Sequence, residues 1–259
     1  MVSTWLNGLV SGAAPGPEAA YFAGGYVSAA VTTVDRFIFL DDSRTTLGTG
    51  LSEATDSLGG AANSGVAAYF AGGGVSAGKA DTVDKFVFAG DVRSTLATGL
   101  SVARNFLAGA ANSGTAAYFA GGCCTYDTVD KFAFSDDGRS TLGTGLSGTR
   151  YGLAGAANSG TAAYFAGGSG SRLTTVDKFA FSDDGRTTLG TGLSLGTTDL
   201  AGAANSGTAA YFAGGTDTAP GYTATIYKFA FSDDGRTTLG TGLSAATNTL
   251  AGAANSGTL

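Results

Sequence analysis

The chain contains no histidine, which removes at once the commonest general base and the commonest transition-metal ligand. Cysteine is nearly absent too. Its only two copies are the neighbours Cys123 and Cys124, so no distant pair can staple the fold, and both are expected to be free thiols in a tolerant loop. Basic residues are outnumbered, 14 against 20 acids, for a formal charge of −6. A groove that follows a phosphate backbone needs the opposite balance, so nucleic acid is not an expected partner. No apolar run is long enough to span a bilayer, and membrane insertion is not expected. The start, Met1-Val2-Ser3-Thr4-Trp5-Leu6, lacks a basic segment, the first Lys or Arg being Arg36, so no secretory signal is read there. A chain of this kind acting outside a cell or at its surface is expected to leave by another route, such as lysis or assembly into a particle. Helical periodicity is missing throughout. Pro is only 3 and Gly 44 of 259 residues; the glycines recur at fixed places, which suits tight turns and close sheet packing.

What is present is a repeat. The marker Tyr-Phe-Ala-Gly-Gly begins at Tyr21, Tyr69, Tyr118, Tyr164 and Tyr211, with spacings of 48, 49, 46 and 47. A period of this length with four strand-like pieces per copy predicts an all-β, five-bladed β-propeller of four-stranded blades. In the fourth copy, Leu153 to Asn158 is a strand of small residues, placed innermost where blades crowd the axis. Asn158-Ser159-Gly160 turns the chain, since Asn and Gly accept the positive φ of hairpin turns. Thr161 to Gly168 runs back; Thr175 to Phe181 is the third strand, and Thr187 to Ser194 the outer one. In the third and outer strands a bulky face is backed by a small one, so neighbouring sheets can mesh. A lone copy buries too little to offset its chain entropy, and stacking is obligatory.

Residues 18–259 are thus expected to form one propeller. Strand Leu250 to Gly257 has no partners after it, and it is expected to complete the first blade and close the ring. A degenerate stretch, Leu6 to Gly12, competes for that place, interrupted by Ala13-Ala14-Pro15-Gly16-Pro17-Glu18. Residues 1–17, with Trp5, are then left as an attachment segment.

The order small strand, turn, aromatic strand ending in Gly-Gly, loop, and Val-x-x-Phe strand resembles the kelch repeat. The double glycines are Gly24-Gly25, Gly72-Gly73, Gly121-Gly122, Gly167-Gly168 and Gly214-Gly215. Arg104 and Arg150 stand where kelch repeats often carry Arg, while the fourth-strand Trp of that family is replaced by Leu47, Leu96, Leu142, Leu189 and Leu239. The wording of the copies also resembles near-identical kelch-type repeats in phage tail or fibre proteins. That resemblance implies a virion component whose partners are a host-surface glycan or protein and, through residues 1–17, other virion proteins. Self-association is compatible with it, and no cofactor is implied.

The copies do not vary evenly. In an up-and-down blade the first and third turns share one rim, and the second loop and the link to the next blade share the other. The first turn is Asn-Ser-Gly in all five complete copies, and the third is Ser-Asp-Asp-Gly-Arg in the last three. The second loops read YVSAAVT, GVSAGKAD, CCTYD, SGSRLT and TDTAPGYTA, and the links EATDS, VARNF, GTRYG, LGTTD and AATNT. Of the 14 bases, only Lys79, Arg104, Arg150 and Arg172 fall in these variable segments, beside Tyr26, Tyr126, Tyr151, Tyr222 and Phe106. Tyr and Arg beside Asp and Asn supply a flat apolar ring, a planar donor fork and acceptors, the chemistry of sugar or protein recognition. The candidate ligand-binding set is therefore Tyr26, Lys79, Asp81, Arg104, Asn105, Tyr126, Asp127, Arg150, Tyr151, Arg172, Asp199, Asp217, Tyr222 and Asn248. The alternative is a scaffold whose uniform rim docks while the loops drift.

Other signals weigh less. Asp183-Asp184-Gly185 and its copies suggest calcium, but such a site needs more oxygen ligands from alternate positions, and hairpin turn chemistry explains the run. The Asp-Lys pairs of the third strand (Asp84-Lys85, Asp130-Lys131, Asp177-Lys178) point to opposite faces, so any ladder they form must join different blades. Catalysis is not expected: copper chemistry on such a propeller needs histidine, and a sialidase-like centre needs a Tyr/Glu pair at the axis, whereas Glu18 and Glu53 are the only glutamates.

Overall fold

The computed structural model describes residues 19–252 apart from 125, 171, 219 and 220. Its sheets are antiparallel throughout, with no helix among the described residues. The first blade contains the strands Ala19–Ala23, Val34–Ile38 and Arg44–Thr46. The second has Gly59–Asn63, Ala67–Ala71, Val83–Val87 and Val92–Thr95. The third has Ala108–Asn112, Ala116–Ala120, Val129–Ala133 and Arg139–Thr141. The fourth has Ala154–Asn158, Ala162–Ala166, Val176–Ala180 and Arg186–Thr188, and the fifth Ala201–Asn205, Ala209–Ala213, Ile226–Ala230 and Arg236–Thr238. Register repeats with the sequence: Tyr118 stands between Ala110 and Lys131, and Tyr164 between Ala156 and Lys178. The chain is a five-bladed β-propeller with mostly four-stranded blades set in a ring.

Blades mesh bulky against small. Tyr118, Val129 and Leu146 of the third blade pack on Ala163, Phe165 and Phe179 of the fourth, and the same groups recur at the adjoining junctions. Near the axis only glycine fits. A Cβ at Gly109 would strike the carbonyl of Gly60, one at Gly155 that of Gly109, and one at Gly202 that of Gly155. Gly252 approaches Gly202 in the same manner, so the chain at 250–252 takes its place beside the fifth blade. The rest of the predicted closing strand, the competing stretch 6–12, and the attachment segment with Trp5 lie outside the described residues.

In the second, third and fourth blades the Asp-Lys dipeptide links its blade to both neighbours. Asp130 accepts from the backbone N–H of Ser101 in the preceding blade at 2.9 Å. Lys131 reaches forward to Asp184 in the third turn of the next blade at 2.7 Å, and the hydroxyl of Tyr118 donates to the same carboxylate at 2.7 Å. Lys85 and Tyr69 hold Asp137, Lys178 and Tyr164 hold Asp234, and Arg36 and Tyr21 hold Asp91. The Asn of the first turn adds a third bond, from Gly114 to Asn63, Gly160 to Asn112 and Gly207 to Asn158. Tyr211, Lys228 and Asp42 are the corresponding groups where the fifth blade meets the first, and they make no such bond among the described residues. Phe22 of the first blade is 47% exposed, whereas its counterparts Phe119, Phe165 and Phe212 are wholly buried.

Two expectations are corrected. The outer strand is much shorter than Thr187 to Ser194: it ends at Thr188, and the chain then bends at Gly190-Thr191 before Leu193 bonds back to the Thr174 carbonyl at 2.7 Å. Cys123 and Cys124 are not free thiols. They are bonded to each other, since adjacent side chains in a tight loop can close a small ring without a distant partner.

Candidate functional site

The variable segments share one rim and are bonded into a continuous surface. Each link pairs with a second loop: Val31 with Thr55, Asp56 with Gly74, Tyr151 with Ser169, and Thr197-Thr198 with Thr216-Asp217. Cys123 N–H donates to the Asn105 carbonyl at 2.7 Å. Neighbouring loops are tied sideways as well, Lys79 Nζ donating to the Cys123 carbonyl at 2.7 Å and Arg172 to that of Asp217. On the opposite rim, Asp136, Asp183 and Asp233 each accept from the glycine N–H two residues on, at 2.9 Å. One oxygen of the first aspartate in each run is thus engaged by its own turn.

The candidate residues divide by exposure. Tyr26, Lys79, Asp81, Asp127 and Tyr222 are exposed; Asn105, Tyr126, Tyr151, Arg172, Asp199 and Asn248 are half-buried. Three are withdrawn from the surface. Asp217 is buried in its pairing with Thr197. Arg104 and Arg150 are internal, not ligand-facing. Arg104 Nη1 lies 3.0 Å from Asp130 and Arg150 Nη2 2.7 Å from Asp177, all four side chains shielded from solvent. Each guanidinium also donates to a second-strand carbonyl, Phe119 at 3.1 Å and Phe165 at 3.2 Å. Burial pulls both arginines below their usual range, and the facing carboxylates oppose that shift. Where a link has Thr197 instead, the following third strand has Tyr227 in place of Asp, reached by Ser194 at 3.3 Å.

The rim has a centre. Its links converge on an axial cavity of about 230 Å³ lined by Ser57, Phe106, Gly152, Asp199 and Thr249 and by the leucine that follows each. These five residues all have positive φ, from 53° to 63°. They are chained by backbone bonds: Phe106 to Ser57 at 2.8 Å, Gly152 to Phe106 at 2.9 Å, Asp199 to Gly152 at 2.7 Å and Thr249 to Asp199 at 2.9 Å. The backbone is spent on the ring, and side chains alone differ around the cavity. The Asp199 carboxylate leans over Gly152, where a Cβ would lie 2.5 Å from Oδ1. Burial raises its pKa above the usual carboxylate range, with the Thr198 hydroxyl acting against the shift. The Phe106 and Tyr151 rings lie 6.2 Å apart. Of this group, Asp199 and Tyr151 were in the predicted set. Ser57, Phe106, Gly152 and Thr249 were not, although all five ring residues are the last letter of their links. A scan against protein-family models finds none that matches the chain, and a search of curated proteins likewise finds no match.

Proposed function

We propose that the chain is a non-catalytic recognition module whose variable rim engages a glycan or protein on a host-cell surface, as part of a phage virion appendage. One observation carries the reading: near-identical blades differ almost only in the loops and links of one rim, and hydrogen bonds lock those segments into a single surface. Variable loops on a rigid scaffold are where binding usually sits. The uniform rim suits docking less well, because its lysines are engaged between blades, Lys85, Lys131 and Lys178 already pairing with Asp137, Asp184 and Asp234. The appendage context rests on the resemblance of the repeats to the kelch repeat and of their wording to the repeats of phage tail proteins. In that setting residues 1–17 would join the module to other virion proteins.

The test is a chain in which Tyr26, Asp81, Tyr126, Asp127 and Tyr222 are replaced together by serine. Binding to a glycan array and to a panel of bacterial cells is expected to disappear with the unfolding midpoint unchanged. Retained binding would refute the reading.

A further inference from the structure

The opposite rim provides a reference for the axial cavity. There, the turn residue with positive φ is Asp in every blade: Asp42, Asp91, Asp137, Asp184 and Asp234. Asp tolerates that conformation and, in four of the blades, has a bonding duty to the blade before it. The axial ring makes the same backbone demand of Ser57, Phe106, Gly152, Asp199 and Thr249. Drift under that demand favours Gly, Asn and Asp, whereas a phenylalanine and a β-branched threonine stand against the steric preference. Backbone strain of this kind concentrates where function holds it in place.

The chemistry around the ring is amphipathic and sparsely charged. One carboxylate, Asp199, faces the cavity with the hydroxyl residues Ser57 and Thr249 and the aromatic Phe106, itself beside Tyr151. The volume, about 230 Å³, falls under the ~300–1,000 Å³ of clefts that take drug-sized ligands. From this we infer that the axial cavity seats a single neutral sugar ring, with Asp199 accepting from its hydroxyls and Phe106 covering its apolar C–H face. The inference rests on the recognition reading above and names its central subsite: the outer loops contact the remainder of a glycan, and the axis holds one residue of it. A carboxylate paired with neutral hydroxyls fits a polyol, which both donates and accepts.

The experiment uses the full chain with methyl glycosides of glucose, galactose, mannose and N-acetylglucosamine, followed by saturation-transfer NMR and titration calorimetry. Two axial variants, Asp199→Asn and Phe106→Asn, keep a residue that tolerates positive φ while removing the charge or the ring. Leu40→Ala, at an exposed turn of the opposite rim, is the control. At least one glycoside is expected to bind, about tenfold or more weakly to each axial variant and unchanged in Leu40→Ala. Thermal unfolding of Asp199→Asn should match the parent. A glycoside that binds equally well to the axial variants would overturn the inference. So would binding of the methyl esters of lysine or arginine in place of sugars, which would mark the cavity as a socket for a cationic side chain. No monosaccharide binding alongside a positive glycan array would sink the axial subsite and leave the rim reading intact. Blank results in both would remove the two together.

Discussion

The two rims impose one backbone geometry and fill it in opposite ways. On the uniform rim, each positive-φ turn carries Asp, and in the second to fifth blades that Asp is gripped by a tyrosine and a cation from the blade before. On the variable rim, the positive-φ ring around the axis carries five different residues whose backbones are bonded to one another and whose side chains line a cavity. Residues that hold blades together are repeated because each junction is the same problem. Residues free of that task are where the copies diverge. Stability should therefore be sensitive to the repeated groups and indifferent to the diverse ones.

Arg104 and Arg150 cut across that division, which makes them the sharpest test of it. Both belong to variable links, yet both are buried against third-strand carboxylates. Replacing Asp177 by Ala leaves the Arg150 guanidinium unpaired in the interior, and breaking a buried pair by removing one partner costs about 3–5 kcal/mol. Urea unfolding should show a loss of that order, the largest among these substitutions. A loss below about 1 kcal/mol would mean that the pair is hydrated or replaceable, and that the link is as idle structurally as its neighbours.

How much of this could be read beforehand follows from the same division. The tandem copies made blade number, strand order, the Asn-Ser-Gly turns and the separation of the two rims legible, because each depends on local pattern and on alternation. The burial of the arginines was not, since it requires knowing that the link runs under the next blade. A partial signal existed: Arg104 and Arg150 precede the strands with Asp130 and Asp177, whereas Thr197 precedes Tyr227. Asp84 spoils the correlation: it follows Thr55 and keeps the serine and threonine bonds that Asp130 and Asp177 also have, without a buried arginine. The axial ring was hidden for a geometric reason. Five positions roughly a blade apart in sequence become neighbours only when the blades converge on an axis.

A smaller effect is expected on the uniform rim. Tyr118→Phe removes the hydroxyl that donates to Asp184 at 2.7 Å, a loss of about 0.5–1.5 kcal/mol. The same bonds carry a pH signature. Burial first, then the bonded carboxylate, raise the phenols of Tyr69, Tyr118 and Tyr164 above their usual range. A pKa raised in the folded state means that the fold favours the neutral phenol. That stability is fully present below the unfolded value of about 10 and is lost as pH rises beyond it. Unfolding midpoints measured from pH 8 to 11 should fall at the alkaline end, and Tyr118→Phe with Tyr164→Phe should flatten the fall. An equal slope in parent and double variant would place the alkaline sensitivity elsewhere.

The smallest effect belongs to the exposed tips. Tyr26 and Tyr222 are 71% and 60% exposed, and neither has a side-chain bond among those tying the rim together. Truncating either to Ala should change stability by no more than about 0.5 kcal/mol, the usual range for surface positions away from caps, cores and networks. This near-zero value is what the comparison requires, because an exposed aromatic kept for folding would cost more to remove. If both truncations leave the unfolding midpoint in place while binding to cells or glycans falls, diversity on this rim is tied to recognition. If instead they destabilise the ring as much as Tyr118→Phe does, the tips are bracing the blades. The contrast between a rim that binds the ring together and a rim that faces outward would then no longer hold.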